Sequence, residues 1–138
     1  MFRLHCDRTI ACSHKLHQHD GKCQNLHGHN FRIVVDIEAS KLIEGGSSDG
    51  MVMDFGDVKR IIDQFDHTHL NHHVAIVSYI GAPLYGSFTD QPTAERFAQI
   101  LALEIYNTSK NCYITSVKVR VYETETQYAE FILNSTEV

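Results

Sequence analysis

The sequence has 138 residues, of which 43% are hydrophobic, and its formal net charge at pH 7 is −5. This composition fits a single domain over residues 1–138, and no apolar run approaches the roughly 18 residues that cross a membrane. The acidic balance, without any basic tract, argues against nucleic acid as a partner, and the lack of a long apolar N-terminal segment leads us to expect a cytoplasmic location.

Two long segments near the N-terminus alternate between apolar and polar residues, which is the period of a half-buried strand. They cover residues 2–14 and residues 27–39, and a polar loop joins them. Arg8 interrupts the first alternation, which indicates a bulge or bend at that point. The Gly- and Ser-rich run at residues 44–50 predicts a turn after the second strand.

The middle of the chain carries two helix patterns, each with a capping residue before it. Asp54 is placed to cap a helix whose apolar stripe is Phe55, Val58, Ile61, Ile62 and Phe65. Thr93 is placed to cap a second helix with the apolar residues Ala94, Phe97, Leu101 and Ile105. Residues 70–91 show no clean period, so we expect a long loop that is functional or forms an oligomer contact.

Two further alternating segments, at residues 117–121 and 129–133, predict a closing pair of strands around a turn. The predicted order is therefore ββααββ, in the α+β class. The simplest packing is a four-stranded antiparallel sheet with two helices on one face. Such a sheet has two unpaired edges, which favours a homo-oligomer.

Three of the ten histidines lie at strand positions that could bring them together as a metal site. His27 and His29 share the parity of the apolar residues in the second strand, and His14 does so at the end of the first. If these strands form a hairpin, the three imidazoles converge at one end of the sheet on its helix face. Three nitrogens with an open fourth position fit zinc, while copper, nickel and iron stay open. The histidines without motif support are expected to be mostly solvent exposed: His17, His19, His69, His72 and His73.

Four further residues are candidates for acid–base chemistry. Cys23 is a candidate base or nucleophile, with a buried small residue or a fourth ligand of a closed structural site as alternatives. Asp66 and His67 form a candidate proton relay, with an exposed surface dipeptide as the alternative. Glu123 has the apolar parity of its strand, so it is either a partnered carboxylate or a strand-end glutamate in water.

These residues lie in motifs whose order resembles a known family. The motifs are SHKL at 13–16, KC at 22–23, LHGHN at 26–30, GMVMDF at 50–55, DHTHLN at 66–71, PTAE at 92–95 and YET at 122–124. Together they resemble the 6-pyruvoyl-tetrahydropterin synthase superfamily over nearly the whole chain. The resemblance implies the T-fold, a ββααββ unit that assembles as a homo-oligomer, typically a hexamer of two stacked trimers.

The short interval between Cys23 and His27 is similar to one branch of that superfamily, the 6-carboxy-5,6,7,8-tetrahydropterin synthases of queuosine biosynthesis. That branch implies a zinc-dependent lyase. Its substrate would be 7,8-dihydroneopterin triphosphate, and its products 6-carboxy-5,6,7,8-tetrahydropterin, acetaldehyde and triphosphate. Two alternatives remain: the pyruvoyl-forming reaction, which breaks no carbon–carbon bond, and a zinc- or pterin-binding domain without catalysis.

The resemblance also implies a role for each candidate residue. It implies that His14, His27 and His29 bind zinc. Cys23 would be the general base, and Asp66 with His67 would form the proton relay. The relay would reach the site of a neighbouring subunit, and Glu123 would anchor the pterin or take part in the relay. Lys15, Lys22 and nearby histidines are the candidates for contacts to the triphosphate. Lys15 replaces the family's usual arginine, and residues 74–91 are longer than in the compact bacterial form, so both features affect how the triphosphate is held.

Overall fold

The structure, a computed structural model, describes residues 1–73 and 87–138 of the chain. In chain order the elements are β1 (Phe2–His14), a 3-10 turn (Lys22–Gln24), β2 (His27–Ala39), α1 (Phe55–Asp63), β3 (Thr68–His69), a 3-10 turn (Leu70–His72), α2 (residues 87–90), α3 (Ala94–Thr108), β4 (Ile114–Tyr122), β5 (Tyr128–Asn134) and a 3-10 turn (Ser135–Glu137). The α+β prediction is confirmed. The loop expected over residues 70–91 is described only at its two ends, both of which contain helical turns, and the rest lies outside the described residues.

The strands form one five-stranded mixed sheet in the order β3-β1-β2-β4-β5. The four long strands are antiparallel neighbours, as the sequence predicts. The prediction of a four-stranded, purely antiparallel sheet is wrong, because Thr68–His69 pairs in parallel with β1. A two-residue strand carries too little periodic signal to be recognised, and its pairing depends on where the chain emerges from α1.

The β1–β2 hairpin keeps one register along its whole length and ends with His14 opposite His27. The bulge predicted at Arg8 is therefore wrong. Arg8 stays on the core side of β1, and its Nη2 donates to Asp63 Oδ2 at the end of α1 at 2.6 Å. A charged residue is tolerated there because its guanidinium is half-exposed and paired.

The core lies between one face of the sheet and helices α1 and α3. The largest fully buried side chains are Phe31, Phe65, Phe88, Phe97, Ile33, Ile37, Ile62, Leu70, Ile100, Leu101 and Ile105. Phe2 and Phe55 belong to the predicted apolar stripes, yet they are 45% and 53% exposed. Each stands at the first position of its element, where the packed layer ends, and both line the same shallow cleft. In residues 1–73 and 87–138, no helix combines the length and apolar character that a membrane crossing requires.

Both predicted helix caps are confirmed. Asp54 Oδ1 accepts a hydrogen bond from Gly56 N at 2.7 Å, and Thr93 Oγ1 accepts one from Arg96 N at 3.2 Å. These bonds satisfy backbone donors that the first turn of a helix leaves unpaired, and each cap contributes about 1 kcal/mol. The Thr93 cap also fixes the start of α3 beside the ends of β1 and β4, where the histidines lie.

Candidate metal centre and adjoining cleft

Three histidines meet where the β1–β2 hairpin ends. The antiparallel register puts His14 directly across from His27, and His29 lies two residues further along β2 on the same face. The centres of the three rings are 4.5 to 5.1 Å apart. One ring nitrogen from each histidine lies within 4.8 Å of the other two. The convergence predicted from strand parity is therefore confirmed.

Backbone carbonyl groups fix the orientation of two of these rings. His14 Nδ1 donates to Pro92 O at 2.8 Å, and His27 Nδ1 donates to Asn25 O at 2.7 Å. Because a carbonyl oxygen only accepts, Nδ1 carries the proton in both rings and Nε2 offers its lone pair. The Nε2 atoms of all three histidines are buried and lack a hydrogen-bond partner among the described residues. Three converging imidazole lone pairs fit a metal ion, and the donor set suits zinc.

His14 and His29 are also biased toward the uncharged form that binds metal. Burial is the main cause that lowers the pKa of His14, and the nearby His27 and His29 rings lower it further. Burial likewise lowers the pKa of His29, against the opposing effect of Glu123, whose Oε2 lies 4.0 Å from His29 Nε2. Neutral imidazole is the form that binds metal, so both shifts favour a metal ion at this site.

A cleft of about 360 Å³ adjoins the histidines on the β4–β5 side. Glu123 connects the two, since it lines this cleft and also faces His29. Cys23, at the centre of the 3-10 turn, lines the cleft as well. Among the described residues, Cys23 is not part of the group whose ligand atoms converge. The thiol and the carboxylate therefore line one cleft, and the carboxylate also approaches the histidines through His29.

Asp66 and His67 follow α1 and their side chains contact each other, with His67 Nδ1 3.0 Å from Asp66 Oδ1. Adjacent side chains cannot do this within a helix, but α1 has ended and His67 has a left-handed backbone with φ of 58°. Ala11 N donates to Asp66 Oδ1 at 2.9 Å, and this bond is the main cause that lowers the pKa of Asp66. His67 is 82% exposed on the β3 side, and within its own chain the pair does not line the Cys23 cleft.

Neither Lys15 nor Lys22 lines the cleft in the part of the chain that the structure describes. Asn71 holds the backbone of Lys15, since its Oδ1 accepts from Lys15 N and its Nδ2 donates to Lys15 O, both at 2.8 Å. Their role as triphosphate contacts stays a prediction. His19, for which the sequence predicts solvent exposure, is exposed and also lines the cleft. Its ring accepts a hydrogen bond from the backbone N–H of Gly21, and the spacing of the histidines in the sequence does not predict this contact.

His73 also differs from the expectation of exposure. It is buried, its ring stacks on Phe65 with centres 4.2 Å apart, and its Nε2 is 3.1 Å from Gln64 O. Phe65 lies just after the end of α1, and the sequence around His73 alone does not predict that the two rings meet. His73 therefore belongs to the core beside α1.

The comparison with known families agrees with this geometry. The family-level sequence model described as 6-pyruvoyl tetrahydropterin synthase matches residues 3–133, which is nearly the whole chain. The chain belongs to the 6-pyruvoyl tetrahydropterin synthase family. Two relatives named 6-carboxy-5,6,7,8-tetrahydropterin synthase come from Haemophilus influenzae and Rickettsia conorii. The first is 31% identical over 95% of this chain and 99% of its own length, and the second is 34% identical over 92% and 99%.

Solved structures of the 6-pyruvoyl tetrahydropterin synthase family share the architecture. The Caenorhabditis elegans enzyme has a TM-score of 0.63 at 21% identity, and the alignment covers 94% of each chain. A Plasmodium vivax 6-pyruvoyl tetrahydropterin synthase has a TM-score of 0.63 at 17% identity, covering 96% of this chain and 98% of its own. At such identities the likeness establishes the T-fold alone.

Proposed function

We propose that this chain is a cytoplasmic 6-carboxy-5,6,7,8-tetrahydropterin synthase of the queuosine pathway. It would convert 7,8-dihydroneopterin triphosphate and water to 6-carboxy-5,6,7,8-tetrahydropterin, acetaldehyde and triphosphate. The observation that carries the proposal is the set of three buried, unpaired Nε2 atoms beside a cleft that a thiol and a carboxylate line. The names of the full-length relatives support this branch of the family.

The metal in this proposal is zinc, held by Nε2 of His14, His27 and His29. When bound, zinc supplies a Lewis acid that polarises the oxygen atoms coordinated to it. The unpaired Nε2 atoms support the assignment, since a buried imidazole nitrogen without a partner is costly unless an ion or water satisfies it. Cys23 stays outside the ligand group, which leaves the fourth position open for substrate.

Cys23 and Glu123 have separate tasks in the cleft. The pterin presents a ring N–H and an amino group side by side, and the two oxygens of one carboxylate can accept both hydrogen bonds. Glu123 would hold the pterin in this way, which aims the side chain of the substrate toward the histidines. The Cys23 thiolate Sγ would then remove a proton from that side chain.

Asp66 and His67 would complete the site of a neighbouring copy, and the proposed assembly is a hexamer. Two observations support this role: the pair is preformed and exposed, and it lies across β1 from the cleft of its own chain. Asp66 would hold the His67 ring while His67 returns protons to the substrate. Edge strand β5 also exposes Tyr128 and Ile132, which suits a covering chain.

A product assay tests the reaction. Zinc-loaded protein is incubated with 7,8-dihydroneopterin triphosphate, and the pterin product and acetaldehyde are identified by mass spectrometry. Acetaldehyde with the carboxylated pterin supports the proposal, whereas a pyruvoyl product without acetaldehyde assigns the other reaction of the family. Cys23→Ala should bind zinc like the wild type and lose turnover. Loss of zinc together with turnover in that variant would indicate a closed structural site instead.

Subunit mixing tests the shared site. Cys23→Ala and His67→Ala homo-oligomers should each be nearly inactive, because each lacks one half of every site. When the two are unfolded together and refolded, about a quarter of the activity should return, since sites that combine two wild-type halves form again. Refolding of each variant alone is the matched control. Mixed oligomers without activity would place all catalytic groups of a site on one chain.

A further inference from the structure

The cleft beside Cys23 is acidic, although its proposed substrate carries a triphosphate. Glu95 and Glu123 both line it, and the chain as a whole is negatively charged. An anionic ligand therefore needs hydrogen-bond donors there to offset two carboxylates. Among the described residues that line the cleft, His19 is the one with a basic side chain, because Lys15 and Lys22 lie elsewhere.

His19 and Cys23 belong to one loop that backbone hydrogen bonds close on itself. Leu16 N donates to Cys23 O at 2.8 Å, and His19 N donates to Leu16 O at 3.0 Å. Gly21 N then donates to His19 Nδ1 at 2.8 Å. The His19 ring is therefore held relative to Cys23 by main-chain contacts rather than left to move freely.

Gly21 makes this arrangement sterically allowed. A Cβ atom at position 21 would lie 2.9 Å from His19 Cε1, which is closer than real Cβ contacts come. A side chain there would push the ring off the backbone N–H. Glycine is thus needed at position 21 for packing, since other residues can also adopt its backbone angles.

The Gly21 contact also determines which atom of His19 faces a ligand as a donor. Because a backbone N–H donates to Nδ1, the neutral ring carries its proton on Nε2. Nε2–H is then free to donate to an oxygen atom. The pterin edge suited to Glu123 offers donors, whereas phosphate oxygens only accept, so the phosphate end of the substrate is the chemical match for His19.

We propose that His19 is a substrate-positioning residue whose Nε2–H holds a phosphate oxygen of the ligand in the Cys23 cleft. The proposal rests on the proposed function for the identity of the substrate. Among the candidates that the sequence offers, which are Lys15, Lys22 and nearby histidines, it selects a histidine that the loop itself orients. The acceptor would be one of the phosphates of 7,8-dihydroneopterin triphosphate.

Two substitutions at position 19 separate the donor from the loop contact. In His19→Asn, the side-chain oxygen can still accept a hydrogen bond from Gly21 N, as in an Asx-turn, where asparagine bonds to the backbone two residues on. The Nε2–H donor is lost in this variant. In His19→Gln, the longer amide keeps a donor near the position of Nε2 and gives up the loop contact. His17→Asn is the matched control, because His17 is exposed in the same loop and does not line the cleft.

Steady-state kinetics and calorimetry read out the effect. For zinc-loaded His19→Asn, we expect KM for 7,8-dihydroneopterin triphosphate and Kd for inorganic tripolyphosphate to rise about tenfold, as loss of one hydrogen bond to a charged group does. We expect kcat, and the inhibition constant of 7,8-dihydroneopterin without phosphate, to stay within about twofold of wild type. His19→Gln should restore most of the affinity, and His17→Asn should match wild type.

The calorimetric arm distinguishes this proposal from the proposed function. If the wild type binds tripolyphosphate and His19→Asn weakens that binding, the phosphate role stands even when no pterin is turned over. Unchanged tripolyphosphate binding in His19→Asn would overturn it, as would a wild type that binds no tripolyphosphate. An equal loss of affinity for dihydroneopterin and tripolyphosphate would also overturn it, since that pattern reports a general collapse of the loop.

Discussion

Replacement of Glu104 by Gln should stabilise the protein at alkaline pH and have little effect at pH 5. Glu104 lies on α3 and is 2% exposed, and its Oε1 lacks a hydrogen-bond partner within residues 1–73 and 87–138. Burial raises the pKa of this carboxyl from 4.5 to about 7. The difference of about 2.5 pH units corresponds to about 3 kcal/mol, because each unit is worth 1.36 kcal/mol.

The sign follows from which state keeps the proton. In the unfolded chain Glu104 loses its proton near pH 4.5, while in the folded chain it keeps the proton until about pH 7. The free energy of unfolding therefore falls as pH rises through this window, and above it the folded state contains a buried, unpaired charge. Glutamine has nearly the same shape and no proton to lose, so Glu104→Gln escapes this loss.

Urea denaturation, followed by far-ultraviolet circular dichroism at several values between pH 5 and pH 8, measures the effect. The difference in unfolding free energy between Glu104→Gln and wild type should grow by about 2.5 kcal/mol across this range, because part of the total is already lost at pH 5. Glu44→Gln is the control, because Glu44 is exposed in a turn and should show no such growth. A difference that is the same at pH 5 and pH 8 would refute the assignment of a raised pKa to Glu104.

Three further predictions concern the metal centre, a helix cap and the cysteines. His27→Ala should lower zinc content, measured by plasma mass spectrometry, well below that of wild type or of His17→Ala; equal zinc in all three would remove His27 from the ligand set. Asp54→Ala should lower the free energy of unfolding by about 1 kcal/mol and Asp54→Asn by less. Equal losses in the two variants would contradict the capping role. Burial raises the pKa of Cys12 to about 12, so at pH 8 iodoacetamide should label exposed Cys112 and leave Cys12 unmodified in peptide mass spectra. Labelling of both at one rate would show that β1 opens readily.

The central metal site could be predicted from the sequence because strand geometry is local. Side chains two apart in a strand point the same way, so the parity of His14, His27 and His29 with their apolar neighbours already fixed their face. The hairpin register then followed from two strands of equal length joined by one loop. The caps at Asp54 and Thr93 were predictable for the same reason, since a cap involves only the residues of one helical turn.

The remaining parts of the site depend on contacts between distant segments, which periodicity does not encode. The two residues of β3 pair with β1 only because α1 ends beside it, and the Asp66–His67 contact exists because the backbone turns left-handed there. His19 enters the cleft because its loop closes on itself through main-chain bonds. The sequence alone thus determined the long strands, the helix caps and the histidine face, because each depends on neighbouring residues. Tertiary structure decided which loop residues join that face, because their positions depend on where separate elements pack.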